Sequence, residues 1–243
     1  MPDSFTPHLS KLPKAQRQLW PLLAPLRALG LVLHGGTAIA LRLGHRASVD
    51  FDFFTNRPLD RKALLATFPS FASAIIIQDE PNTWTGIVPA SGSEVKVSFF
   101  GGIIFGRIGE PEATSDGVAI VASLDDLLAQ KLKVVMQRVE AKDYRDIAAL
   151  LRAGLQLENG MAGAMALFGT NFSPMDCAKA LVYFKGGDLA TVSSSDRATL
   201  LAAVRSIHLS IGPAAIRSPS LTTIAQAGFP SPAPKPRSRG KRR

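Results

Sequence analysis

"HGGTAIALRLGHRASVDFDFF", residues 34–54, sets two glycines and a threonine ahead of a short apolar stretch and ends in Asp-Phe-Asp followed by two more phenylalanines. In a chain with only 19% charged residues, two carboxylates inside a strand-like apolar run need an explanation. Residues two apart on a strand point to the same side, so Asp50 and Asp52 face together. Like charges that close repel and are costly to bury. A divalent cation between them, Mg²⁺ for instance, removes the conflict.

Outward from this stretch, "LVLHGG" (31–36) predicts a short strand entering a glycine turn. "TAIALRLG" predicts a buried helix, apolar nearly all round except at Arg42, with Gly44 as its C-terminal cap. "SVDFDFFT" is the second strand. Upstream, residues 9–29 predict helix interrupted by Pro13, Pro21 and Pro25. Downstream come a helix around 58–68 and the strands "AIIIQD", "TWTGIVP" and "EVKVSFFG", with turn residues between them. Strand, helix, strand and then a meander indicate a mixed α/β sheet, an α+β fold.

From Ser123 the pattern turns helical. "SLDD" offers a capping box, with Ser123 as cap and Asp126 three residues on, ahead of a helix over 124–139. A second helix covers about 144–152. "SPMDCAKALVYF" opens another, with Ser173 capping and Pro174 first in the helix, and "SSSDRATLLAAVRSI" gives one more. The expected organisation is a sheet-bearing core with an N-terminal helix over 1–120, a helical part over 121–228, and a proline-rich basic tail over 229–243 that lacks the composition to fold.

With 243 residues, 46% of them hydrophobic, the chain is long enough to bury a sizeable core. No apolar run approaches the roughly 18 residues of a membrane helix, and the N-terminal twenty residues lack the apolar centre of a signal peptide. Cys177 is the only cysteine, which excludes an internal disulfide and argues against a cysteine-based zinc site. The expectation is a cytoplasmic protein. Its net charge of +9 is concentrated at one end: the last fourteen residues carry six basic side chains and no acid. That tail suits either phosphate contacts with RNA or a purely solubilising role.

Turned at about 100° per residue, the helix from 124 to 139 gathers Leu124, Leu127, Leu128, Leu132, Val135, Met136 and Val139 on one half. Lys131 falls inside this arc, Arg138 near its edge, and Lys133 almost opposite, as a solvated lysine would. A buried ammonium needs a carboxylate or an anion such as phosphate as partner; alternatively its stem packs while its head reaches water. In "KDYRDIAALL", Asp143 and Asp146 are neighbours on a helix face, an arrangement that the helix dipole alone also favours. Gly35, Gly36 and Thr37 form a turn at a helix start, where backbone N–H groups suit a phosphate. No Walker loop or nucleophile elbow is present.

Taken together, strand, Gly-Gly-Thr, short helix and a strand bearing Asp-x-Asp look like the nucleotidyltransferase core of the polymerase-β-like superfamily. More narrowly, "GGTAIALRLGHRASVDFDFF", "AQKLKVVMQR" and "KDYRDIAALL" resemble the AbiEii/AbiGii toxin family of nucleotidyltransferases over about residues 31–152. The resemblance implies that Gly36 and Thr37 take the place of the Gly-Ser/Thr turn that holds nucleotide phosphates, with Gly35 beside them. It implies that Asp50 and Asp52 bind Mg²⁺, or Mn²⁺, with the triphosphate. Lys131 matches a helical lysine aimed at the cleft, and Asp143 and Asp146 match the Asp-x-x-Asp that follows it.

The superfamily usually carries a third carboxylate on a later strand, as the base for the incoming hydroxyl; the corresponding position here is Ser98. Glu94 substitutes if the strand register differs; otherwise Asp143 or Asp146 supplies the base, or binding persists without catalysis. The implied reaction is Mg²⁺-dependent transfer of a nucleoside monophosphate from a nucleoside triphosphate to an acceptor hydroxyl. The resemblance further suggests an RNA acceptor, tRNA among the candidates, a toxin role and a separately encoded antitoxin. Nucleotide or RNA binding without catalysis, and metal-dependent phosphohydrolysis, are the competing readings.

Overall fold

The computed structural model describes residues 4–90, 92–208 and 211–222. In chain order its elements are β1 (Ser4–Phe5), α1 (Lys14–Leu19), β2 (Val32–His34), α2 (Gly35–Leu43), β3 (Asp50–Phe54), α3 (Arg61–Thr67), β4 (Ile75–Glu80), β5 (Thr83–Ala90), β6 (Ser93–Phe100), β7 (Glu112–Thr114), β8 (Ile120–Val121), α4 (Leu124–Val134), α5 (Ala141–Arg152), α6 (Leu157–Phe168), α7 (Pro174–Val182) and α8 (Ser194–Ser206). The described strands form one mixed sheet in the order β1-β7-β8-β2-β3-β6-β5-β4. β2 and β3 pair antiparallel, β3 and β6 parallel, and β6, β5 and β4 continue as an antiparallel meander. This is the mixed α+β architecture that the sequence pattern predicts.

Alternation along β3 sets the sheet's two faces. Phe51 and Phe53 are buried and stack with Trp20 and Phe99 at ring-centroid distances of 5.9 and 5.8 Å. Asp50, Asp52 and Phe54 are half-buried on the opposite face. Burying a phenylalanine is worth about 1.5–3 kcal/mol, and a one-residue slip would exchange those rings for both carboxylates. The aromatic face therefore fixes where the acidic face points.

The helices that carry the rest of the site are capped as their sequences suggest. Ser123 accepts the Asp126 backbone N–H at 3.0 Å, and Ser173 accepts that of Asp176 at 3.2 Å. The Asp126 carboxylate, however, takes the backbone N–H groups of Ile108 and Gly109 rather than closing the box on Ser123 N–H. The proline-interrupted segment resolves into 3₁₀ turns at Leu9–Lys11 and Trp20–Leu29 flanking α1, because each proline removes a helical donor.

Three expectations change. Gly35 and Gly36 belong to α2 itself and not to a preceding turn. α4 ends at Val134, five residues early, and a turn over 135–137 brings Arg138 back to α5. α6 lies where no helix is expected, with Gly160 and Gly163 within it. The basic tail over 229–243 lies outside the described residues.

Candidate active site

The acidic face of β3 lines a cavity of about 830 Å³. Register places Asp50 opposite Lys96, Asp52 opposite Ser98 and Phe54 opposite Phe100 of β6. Lys96 Nζ lies 3.4 Å from Asp50 Oδ2, so the carboxylate pair has a cationic neighbour that the sequence around it does not show. Burial, and then the charge of Asp50, pushes the Asp52 carboxyl above its ordinary value; Lys96 and the Ser98 hydroxyl oppose that shift in part.

α2 delivers its N-terminus to the same place. Its first-turn N–H groups have no intrahelical acceptors, and the helix dipole favours an anion there. Gly35, Gly36 and Thr37 all line the cavity. Thr37 donates its hydroxyl to the Asp50 carbonyl oxygen and lies 2.8 Å from Ser48 Oγ, so its side chain ties α2 to the start of β3. Gly35 sits at φ +73°, and a Cβ there would stand 2.8 Å from Asp52 Oδ2. Gly35→Ala is thus expected to cost about 1–2 kcal/mol from the left-handed backbone alone, with further loss from displacing Asp52. Urea denaturation measures this; a loss no larger than that of an ordinary surface substitution would contradict the close approach.

Lys131, Asp143 and Asp146 come together behind this wall. Lys131 is buried, and its Nζ bonds Asp143 Oδ1 at 2.7 Å and Asp146 Oδ2 at 2.8 Å. Arg138 grips Asp143 through Nε at 2.8 Å. Arg46 reaches Asp146 through Nε at 2.6 Å and Nη2 at 2.9 Å, and His45 Nε2 lies 2.7 Å from the same carboxylate. Burial alone would raise both carboxyl pKa values. Hydrogen bonds from Arg138 and the charge of Lys131 hold Asp143 below its usual value; His45, Arg46 and Lys131 hold Asp146 well below it.

Of the partners open to a buried ammonium at Lys131, the structure supplies the carboxylate. The lysine still lines the cavity. Lys133 departs from expectation. It also lines the cavity, half-buried, with its Nζ donating to the Asn171 carbonyl. The flank of α4 opposite the apolar stripe faces this cavity instead of open solvent, so Lys133 is not an ordinary solvated lysine. Arg46 and Lys96 on the cavity wall were not singled out from sequence. Arg46 has one signal in the sequence, a basic residue two positions after the Gly44 cap; Lys96 has only the strand face it shares with Ser98.

The third carboxylate is not replaced from nearby. Glu94 is exposed and pairs with Pro89, beyond the end of β3. Asp143 and Asp146 are fully buried and engaged by cations. Among the described residues, Asp50 and Asp52 are the carboxylates that line the cavity, facing a wall with Arg46, Lys96, Lys131, Lys133, Arg138 and Lys142.

At the far end of the wall, Phe54, Phe100, Phe105 and Phe168 line the cavity. Beneath them His34 stacks on Phe54 at 4.6 Å and is hydrogen-bonded through Nδ1 to Gln130 Oε1 at 2.9 Å. Burial lowers the His34 pKa to about 4, despite the opposing bond to Gln130.

Among the described residues no three His, Cys, Asp or Glu side chains cluster as a protein-only metal site. Two hard carboxylates facing an open cavity, one of them disfavoured as a bare anion, fit an ion that takes its remaining ligands from water and phosphate, as Mg²⁺ does. No helix among the described residues is long and apolar enough to cross a membrane.

The chain is similar to known proteins in sequence and in fold. The chain is 29% identical over 150 residues to an uncharacterized protein of Aquifex aeolicus strain VF5, covering 59% of this chain and 69% of that one. Its fold is similar to a crystal structure of a nucleotidyltransferase candidate from H. pylori (TM-score 0.56, 15% identity, 79% of this chain and 93% of that one). It is also similar to MenT4, a nucleotidyltransferase toxin of Mycobacterium tuberculosis H37Rv (TM-score 0.53, 14% identity, 79% and 82% of the two chains). The sequence model described as nucleotidyl transferase AbiEii toxin, type IV TA system, matches residues 22–172, more than half of the chain. The protein therefore belongs to the AbiEii family of toxin nucleotidyltransferases and is a nucleotidyltransferase.

Proposed function

We propose that the protein transfers a nucleoside monophosphate from a nucleoside triphosphate to an acceptor hydroxyl, releasing pyrophosphate, with Asp50 and Asp52 holding Mg²⁺ or Mn²⁺. The observation that carries this reading is the meeting of both carboxylates, the α2 N-terminus and a basic wall in one cavity. When bound, the ion supplies charge neutralisation at the triphosphate and alignment of the attack.

The chain's own residues do the rest. Gly35, Gly36 and Thr37 offer backbone N–H groups to phosphate oxygens. Arg46, Lys131 and Lys133 place positive charge where negative charge accumulates on the leaving pyrophosphate. Asp143 and Asp146 position Lys131, Arg138 and Arg46 without touching the substrate. The acceptor we favour is RNA, tRNA among the candidates, and the biological role that of a toxin restrained by a separately encoded antitoxin. Family membership supports the toxin role; the basic wall supports a polyanionic acceptor.

Ser98, where a third carboxylate usually stands, favours a second reading: nucleotide binding without turnover. One experiment separates the readings. The protein is incubated with each α-labelled triphosphate, Mg²⁺ and total RNA. Label appearing in RNA is the expected result. Free monophosphate without labelled RNA would indicate hydrolysis, and retained triphosphate without turnover would indicate binding alone.

A further inference from the structure

The cavity wall changes character rung by rung. On β3 its face reads Asp50, Asp52, Phe54; on β6 beside it, in register, Lys96, Ser98, Phe100. A strand rises roughly 3.3 Å per residue, so the aromatic rung stands about 7 Å beyond Asp52 along the strand. Phe105 and Phe168 extend it. Phe54 meets Phe100 at 5.0 Å and Phe105 at 6.4 Å, and Phe105 meets Phe168 at 5.4 Å, all edge-on. These four rings are half-buried, whereas Phe51, Phe53 and Phe99 on the other face are no more than 2% exposed. The four are therefore the lining of a cavity and not part of the sheet's core.

One polar side chain is set against this lining. Gln130 lines the cavity, and its Oε1 is hydrogen-bonded to the buried, Phe54-stacked His34. Donation from the imidazole Nδ1–H uses the acceptor end of the amide. What Gln130 then presents to the cavity is its NH₂ group, a donor.

We infer that the aromatic end is a nucleobase subsite for the incoming triphosphate, with Phe54, Phe100, Phe105 and Phe168 packing on the base and Gln130, oriented by His34, donating to a carbonyl oxygen of that base. The inference rests on the nucleotidyltransferase reading for the charged end of the same cavity. Guanine, cytosine and uracil carry an exocyclic carbonyl oxygen and adenine does not, so the site selects against ATP. His34 acts here as a positioning residue.

The test is calorimetric titration of the full chain with Mg²⁺ and either inorganic tripolyphosphate or a non-hydrolysable α,β-imido triphosphate of each base, without RNA. Phe105→Ala and Phe168→Leu are expected to weaken the nucleotides about tenfold while leaving tripolyphosphate within about twofold. Phe168→Leu keeps apolar bulk, and melting temperatures of both variants confirm folding. Gln130→Leu should abolish the preference over ATP; His34→Phe should do the same, and His34→Asn, which restores a donor, should recover it. An equal loss for tripolyphosphate and nucleotides, or a wild type that binds ATP as tightly as the other three, overturns the subsite. So does unchanged triphosphate affinity with a raised KM for RNA, which would give the aromatic end to the acceptor's base. Failure of the wild type to bind any of these ligands would instead overturn the proposed function itself.

Discussion

Asp146→Ala is expected to destabilise the protein by about 3–5 kcal/mol, the usual consequence of removing one partner from a buried ionic cluster. Asp146 is fully buried and bonded to Lys131, Arg46 and His45. Without it, Lys131 keeps only Asp143 and the Arg46 guanidinium loses both of its carboxylate bonds. Arg46 would also lose its station against Gly36, where a Cβ would stand only 2.4 Å from Nη2. Damage to the α2 N-terminus should follow from damage to α5.

The same cluster predicts a pH dependence. Asp143 and Asp146 titrate below the ordinary carboxylate value in the folded protein, so the unfolded chain binds more protons in acid. Their contribution is complete above the unfolded value of about 3.9 and is lost as pH falls through and below it. Urea midpoints between pH 3 and 7 should fall steeply on the acid side for the wild type and less steeply for Asp146→Ala. A stability loss under 1 kcal/mol, with parallel acid limbs, would show that the cluster is not the anchor its geometry suggests.

How much of this the sequence reveals depends on how far apart the partners lie. The alternation of Asp50, Phe51, Asp52 and Phe53 is local, and the acidic face of β3 is legible from it. The burial of Lys131 follows from its angle on α4, and the proximity of Asp143 to Asp146 from their spacing on α5. That these three form one cluster depends on how α4 packs on α5, which no single periodicity encodes. Lys96 is invisible as the partner of Asp50 until β6 is known to lie parallel to β3.

Lys133 shows a limit of the helical wheel. The wheel gives an angle relative to the apolar stripe, but not that the opposite flank faces a cavity. In α6, Gly160 and Gly163 read as helix breakers, yet they allow close packing. A Cβ on Gly160 would stand 2.6 Å from Leu128 Cδ2, and one on Gly163 2.3 Å from Ile108 Cδ1. The lost helix propensity, about 1 kcal/mol per glycine, is offset by burial that a larger residue would prevent.

Asp52→Asn should abolish transfer while leaving the fold intact. The bound metal is expected to supply several kcal/mol of stabilisation at the triphosphate, and each 1.36 kcal/mol is tenfold in rate, so activity should fall about a thousandfold or more. Stability should move the other way. At Asp52 burial and the neighbouring Asp50 both disfavour the charged form, and asparagine is neutral at nearly equal volume. Asp50→Asn is a different case, because Asp50 has Lys96 at 3.4 Å and both side chains are about a third exposed. Such a pair is worth at most about 1 kcal/mol, and its loss is countered by relief of Asp52. Without Mg²⁺, calorimetry should therefore show Asp52→Asn melting at or above the wild-type temperature and Asp50→Asn close to it. Adding Mg²⁺ should raise the melting temperature of the wild type, since an ion bound only by the folded state stabilises it, and should do little for either variant. If both variants melt well below the wild type in the absence of metal, and Mg²⁺ shifts all three proteins alike, then Asp50 and Asp52 hold the sheet together and do not hold an ion.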